Sequence, residues 1–157
     1  MGKRSKKYQT RVALVCSHLN QERARYLVVG ATAMQLWGTT RATRDIDILI
    51  EPTVSNASRV LRALSVLGFG LASEHLAEEV ATRAVTMIGD TPNVDILTSA
   101  WNVRWETAQT RARVFEVEGI KIPTASIEDL IESKRTGRLQ DAADIEVLEA
   151  IRQFRTD

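Results

Sequence analysis

The segment TRATRDIDILIEP, residues 40–52, constrains this chain more tightly than any other stretch. Asp45 and Asp47 alternate with Ile46, Ile48 and Ile50 in a run apolar enough to be a core strand. Side chains alternate across a strand, so both carboxylates share one face while the isoleucines take the other. Two strand rises separate their Cα atoms by roughly 6.5–7 Å, and both side chains can reach one ion. Like charges buried this closely are costly unless compensated. The chain offers two remedies. Arg41 and Arg44 can pair with the aspartates at a solvated edge, or a hard divalent cation can bind there. Mg²⁺ suits the second, because it takes oxygen ligands from one or two carboxylates and from phosphates.

The surrounding pattern decides what such a strand sits in. Val12, Val15, Cys16 and Leu19 recur at the spacing of an amphipathic helix. YLVVG (26–30) reads as a short strand ending in glycine, and ATAMQLWG as a short helix closed by Gly38. Pro52 ends the DIDILIE strand, because proline cannot donate to a ladder. Ala57, Val60, Leu61 and Leu64 mark a further helix, which stops near GFG at 68–70. EHLAEEVATRA (74–84) fits either a helix or irregular structure, and residues 102–110 fit either a loop or a helix. AVTMI and NVDILT read as strands around a turn built from Gly89, Asp90 and Pro92. RVFEV-EG-IKI (113–122) has the form of a hairpin. Ser126 with Asp129 three residues later predicts a capping-box start for a helix to about Arg135. Ile145, Leu148 and Ile151 then lie on one face of a final helix. Clustered strands with terminal helices predict an α/β (α+β) fold, a mixed sheet flanked by helices.

At 157 residues the chain is long enough for one sizeable core, and residues 9–157 are expected to form one domain. Its formal net charge of +1 gives no global field toward nucleic acid or a membrane surface. Lys3, Arg4, Lys6 and Lys7 are expected in a solvated basic tail over residues 1–8. One cysteine, Cys16, excludes an internal disulfide and a cysteine-rich zinc site, and it fits a reducing cytoplasm. No apolar run approaches the ~18–20 residues that span a bilayer, so no membrane association is expected. No Walker-type glycine loop is present. His18 and His75 are isolated, and Cys16 and Trp37 read as packing residues. Trp101 and Trp105, flanking the loop after Asp95, suit either a base-stacking role or a packed lid.

Asp95 in NVDIL alternates with Val94 and Ile96, and a neighbouring strand would bring a third carboxylate to the Asp45–Asp47 patch. VVGATAMQLWGTTRATRDIDILIEP, with that later acid, resembles the signature of the polymerase-β-type nucleotidyltransferase superfamily. RATRDID with the downstream KRTGRLQDAAD is similar to abortive-infection (AbiEii-like) toxins and related small bacterial nucleotidyltransferases. The resemblance spans residues 26–144. It implies that Asp45 and Asp47 ligate Mg²⁺ carrying an NTP, and that Asp95 holds a second ion or accepts the acceptor's proton. It places Gly30, Ala31, Thr32, Arg41 and Lys134 at the phosphates, with Arg138 and Asp144 in a supporting network. Glycine and a helix N-terminus suit that task, since the backbone comes close and its N–H groups attract anions. Lys134, Arg138 and Asp141 also fit a solvated, charged helix joint. Thr43 is expected to support the turn before the strand. The implied reaction transfers an NMP to a hydroxyl of RNA, such as tRNA, or of a small molecule such as an antibiotic. A homodimer or an antitoxin-like partner is expected to complete the acceptor pocket. The family usually has Gly-Gly or Gly-Ser where this chain has Gly30-Ala31. That departure favours the competing reading, a catalytically idle module that binds a partner protein.

Overall fold

The computed structural model describes residues 10–40 and 42–155. The basic run at Lys3–Lys7 and Arg41 lie outside those residues. Helix α1 (Arg11–Gln21) starts where the Thr10 hydroxyl accepts the Ala13 N–H, and it buries Ala13, Val15, Cys16 and Leu19. Strand β1 (Tyr26–Val29) leads directly into α2 (Gly30–Trp37). Strand β2 (Ile46–Ile50) follows, so Asp45 stands immediately before the regular strand. Then come α3 (Val54–Leu64), a 3₁₀ turn (Leu71–Glu74) and α4 (Ala77–Thr82). The 74–84 segment is therefore a short helix between irregular ends.

Strands β3 (Val85–Ile88) and β4 (Val94–Leu97) precede a small ribbon of β5 (Ser99–Ala100) and β6 (Val103–Arg104). A single turn, α5 (Trp105–Ala108), resolves the loop-or-helix choice at 102–110. The hairpin β7 (Arg113–Val117) and β8 (Ile120–Thr124) turns at Glu118–Gly119, both with positive φ. Helix α6 (Ile127–Ser133) starts with Ser126 Oγ accepting the Asp129 N–H at 3.1 Å. The other half of the expected capping box is replaced, because Asp129 turns its carboxylate to Arg111 at 2.7 Å. The helix also stops at Ser133, short of Arg135. Helix α7 (Leu139–Phe154) closes the fold.

The six-stranded sheet runs β3-β4-β2-β1-β8-β7. Pairs β1–β2, β3–β4 and β7–β8 are antiparallel, while β2–β4 and β1–β8 are parallel. All four residues of β1 are buried although they alternate faces, so both faces of the sheet are covered there. Ile48, Leu49 and Ile50 have no exposed surface. Fully burying side chains of this size contributes about 1.5–3 kcal/mol each. The β3–β4 turn is tied to the loop that follows α3 by Asp90, which accepts backbone N–H groups from Phe69 and Leu71 there and from Thr91 in its own turn. Among the described residues no helix is long and apolar enough to cross a membrane.

Candidate active site

Three acids meet where β2 and β4 begin. The parallel register sets Asp47 directly beside Asp95. Burial is the main reason that Asp47's carboxyl is pushed up to about 6; the Asp95 charge and a hydrogen bond with Asp95 add to it, and Lys134 opposes them. Burial and the Asp45 charge likewise raise Asp95. One Asp95 oxygen, Oδ1, is buried without a hydrogen-bond partner. Asp45 is more exposed, and its Oδ1 accepts from Asn93 Nδ2 at 2.9 Å. Its backbone carbonyl accepts from the Thr43 hydroxyl, which also receives the Asp45 N–H and so shapes the approach to the strand.

The Asp47–Asp95 pair offers carboxylate oxygens suited to a hard cation, one of them buried and left unsatisfied by the protein. Among the described residues no group of three acidic, histidine or cysteine side chains is placed to hold one metal ion, so Asp45, Asp47 and Asp95 do not by themselves make a three-acid site. A Mg²⁺ ion here would complete its shell from phosphate and water, as this ion commonly does.

Gly30 sets the distance between these acids and the start of α2. Val29 pairs with Asp47 across β1–β2, so the chain must turn into the helix right beside that carboxylate. Gly30 does so at φ +67°, and a Cβ there would lie 2.3 Å from Asp47 Oδ2. No side chain caps the first turn of α2, so its N–H groups are left for an anion. Ala31 is partly exposed at this end. Thr32 is buried, and its hydroxyl donates to the Asp45 carbonyl at 3.1 Å, bracing α2 against the acid-bearing strand.

Lys134 ends α6, and Gly137 (φ +88°) helps turn the chain before α7 begins at Leu139. Lys134, Arg138 and Asp141 therefore do not share one helix; the turn assembles them. Lys134 Nζ lies 3.0 Å from Asp144 and 3.6 Å from Asp141, both buried. Asp141 also pairs with Arg138 at 2.8 Å and accepts from the Thr136 hydroxyl. A cavity of about 270 Å³ joins Gly30, Asp47, Trp101, Lys134, Arg138 and Asp141. Trp101 is 61% exposed at its edge, whereas Trp105 is buried elsewhere beneath Arg25. Trp37 is core, donating to the Ala125 carbonyl and packing edge-on against Phe115. Cys16 is fully buried.

Sequence reasoning missed Asn93 and Thr136. The first was within reach: if β4 runs parallel to β2 with Asp95 beside Asp47, the residue two before Asp95 falls beside Asp45. Thr136 gave no such signal, because its role depends on how the α6–α7 turn folds.

A glycine-led helix beside paired strand carboxylates, in a mixed sheet of this order, belongs to the nucleotidyltransferase fold. The chain shares that fold with a presumptive nucleotidyltransferase from Thermotoga maritima, at a TM-score of 0.52 and 19% identity. That alignment covers 89% of this chain and 87% of the other. No curated protein sequence matches. The chain belongs to the family described as nucleotidyltransferases of unknown function (DUF6036), which it matches over residues 9–155.

Proposed function

We infer that this protein is a Mg²⁺-dependent nucleotidyltransferase that moves an NMP from an NTP to an acceptor hydroxyl. The observation that carries the reading is the in-register pair Asp47–Asp95, half-buried beside the uncapped start of α2 and the Lys134 cavity. Asp45 and Asp47 would hold Mg²⁺, and Asp95 would either hold a second ion or, left free of metal, take the acceptor's proton. Bound there, the metal supplies charge neutralisation for the triphosphate. Gly30, Ala31 and the first N–H groups of α2 receive phosphate oxygens, and Lys134 adds a point charge held in place by Asp144 and Asp141. Thr32 acts one step back, fixing the Asp45 backbone.

The acceptor oxygen forms a bond to the α-phosphorus, and the bond from that phosphorus to its bridging oxygen breaks. Pyrophosphate leaves with the electron pair. The acceptor's proton passes to Asp95, whose burial makes it a better base than an exposed carboxylate. Most of the rate enhancement in such chemistry comes from positioning and charge stabilisation. Acceptors consistent with the family resemblance are RNA, as in toxin–antitoxin systems of the cytoplasm, and small hydroxyl-bearing antibiotics.

The test supplies each labelled NTP with Mg²⁺ and, in turn, total RNA, an aminoglycoside or a lincosamide. Label should move to one acceptor class, and the Asp45→Ala/Asp47→Ala double variant should abolish it. A wild-type protein that binds neither NTP nor Mg²⁺ at millimolar concentration overturns the reading and leaves the idle, partner-binding module in its place.

A further inference from the structure

The acid-bearing end of β2 stands between two cavities. Asp47 lines the one with Gly30 and Lys134, whereas Asp45 lines a second of about 240 Å³ with Arg11, Thr32, Gln35, Thr43 and Arg44. The second cavity has two cations and one acid in its wall. Arg11 reaches across it, its Nη1 donating to the Arg44 carbonyl at 3.0 Å. Both arginines are exposed, and among the described residues neither is paired with a carboxylate. Elsewhere this chain does pair its arginines with acids, as in Arg25–Glu51, Arg111–Asp129 and Arg138–Asp141. Asp45 sets one negative charge against these two positive ones, so the wall of the cavity is net positive.

Resting on the nucleotidyltransferase reading, we propose that this second cavity receives the acceptor, and that the acceptor carries phosphate. In-line displacement brings the incoming hydroxyl and the departing pyrophosphate to opposite sides of the α-phosphorus. With the triphosphate against Gly30 and Lys134, the opposite side is the Asp45 side. Unpaired arginines there attract phosphate oxygens through their fork of donors and repel a polycationic aminoglycoside. A polynucleotide strand and a small phosphorylated sugar share this chemistry. The acceptor phosphate binds Arg11 and Arg44, and its hydroxyl reaches past Asp45 toward Asp95, whose carboxyl feels the Asp45 charge.

The experiment measures binding without NTP or Mg²⁺, so it stands apart from the transfer assay. The ligands are a fluorescent twelve-nucleotide single-stranded RNA, ribose 5-phosphate and kanamycin. Wild-type protein should bind RNA or ribose 5-phosphate, and whichever binds identifies the source of the phosphate. Arg11→Ala and Arg44→Ala should each weaken that ligand at least fivefold, and for RNA should flatten the salt dependence by about 0.7 in log–log slope per lost contact. Arg44→Glu should weaken it further. Mg²⁺–ATP affinity, measured separately, should not change in any of the three. Overturning results are wild-type binding of neither phosphate ligand, kanamycin binding in preference to both, phosphate binding indifferent to the arginines, or loss of Mg²⁺–ATP affinity in the variants. Were wild-type protein to bind RNA but no nucleotide, the function proposed above would fall while the arginine site remained.

Discussion

Gly30 does two things that no other residue type can do together. Its positive φ turns β1 into α2, and its missing side chain leaves room for Asp47 Oδ2. Gly30→Ala should therefore push the Asp47 carboxylate out of place as well as strain the turn. We expect Mg²⁺–NTP affinity to fall at least tenfold by isothermal titration, with the fold retained by circular dichroism. Affinity equal to wild type would mean that the phosphates do not approach this turn. Lys134 shows the same economy at a different residue. It pairs with buried Asp144 and, together with Arg138, with buried Asp141, and it lies close enough to oppose the raising of Asp47's carboxyl.

At the scale of elements, the site depends on helix ends. The start of α2 is uncapped, which suits an anion; the starts of α1, α3 and α6 are capped by Thr10, Thr53 and Ser126. Ser126→Ala tests the contrast. Removing an N-cap hydroxyl costs typically about 1 kcal/mol, or roughly 2–4 °C in melting temperature for a chain of this size. The loss should appear in thermal denaturation. The parallel β2–β4 pairing matters equally, because it alone aligns Asp47 with Asp95. A shift of one residue would turn Asp95 to the opposite face.

For the whole molecule, pH acts on stability through the same acids that the proposed Mg²⁺ would use. Asp47's carboxyl is raised from 3.8 to about 6 in the fold, chiefly by burial. A raised carboxyl favours the folded state below its unfolded value, and that contribution is lost as pH rises through the folded value. Asp90 and Asp141 act in the opposite sense. Hydrogen bonds from the Phe69 backbone to Asp90 and from Thr136 to Asp141 lower both groups, so their contribution is lost as pH falls below the ordinary carboxylate range. Metal-free protein should therefore melt at a higher temperature at pH 4.5 than at pH 7. The Asp47 share is about 1 kcal/mol once the shift is discounted for solvent screening at a half-buried group. Mg²⁺ should restore stability at pH 7 and do little at pH 4.5, where protons compete for the same oxygens. Asp47→Asn should flatten the metal-free profile. A profile identical to wild type would remove Asp47 as its source.

Local patterns carried much of this protein. Alternation of aspartate and isoleucine marked β2, helical spacing marked α1 and α3, and Glu118-Gly119 marked the β7–β8 hairpin, because each signal lies within one element. Thr43 could be read as a turn support for the same reason. Other assignments depended on distant segments. The capping partner expected of Asp129 was taken by Arg111, eighteen residues away in sequence. Thr32 turned to the Asp45 carbonyl rather than outward, because α2 packs against β2. Lys134, Arg138, Asp141 and Asp144 form one ionic cluster only because the chain turns at Gly137. The sequence by itself determined which elements carry the acids proposed as cation ligands, since strand and helix periods are local properties. Tertiary structure alone decided that β4 lies parallel to β2 with Asp95 beside Asp47, that Asn93 meets Asp45, and that two cavities flank the acids. Strand order and register arise from packing the whole core at once, and no single segment contains that information.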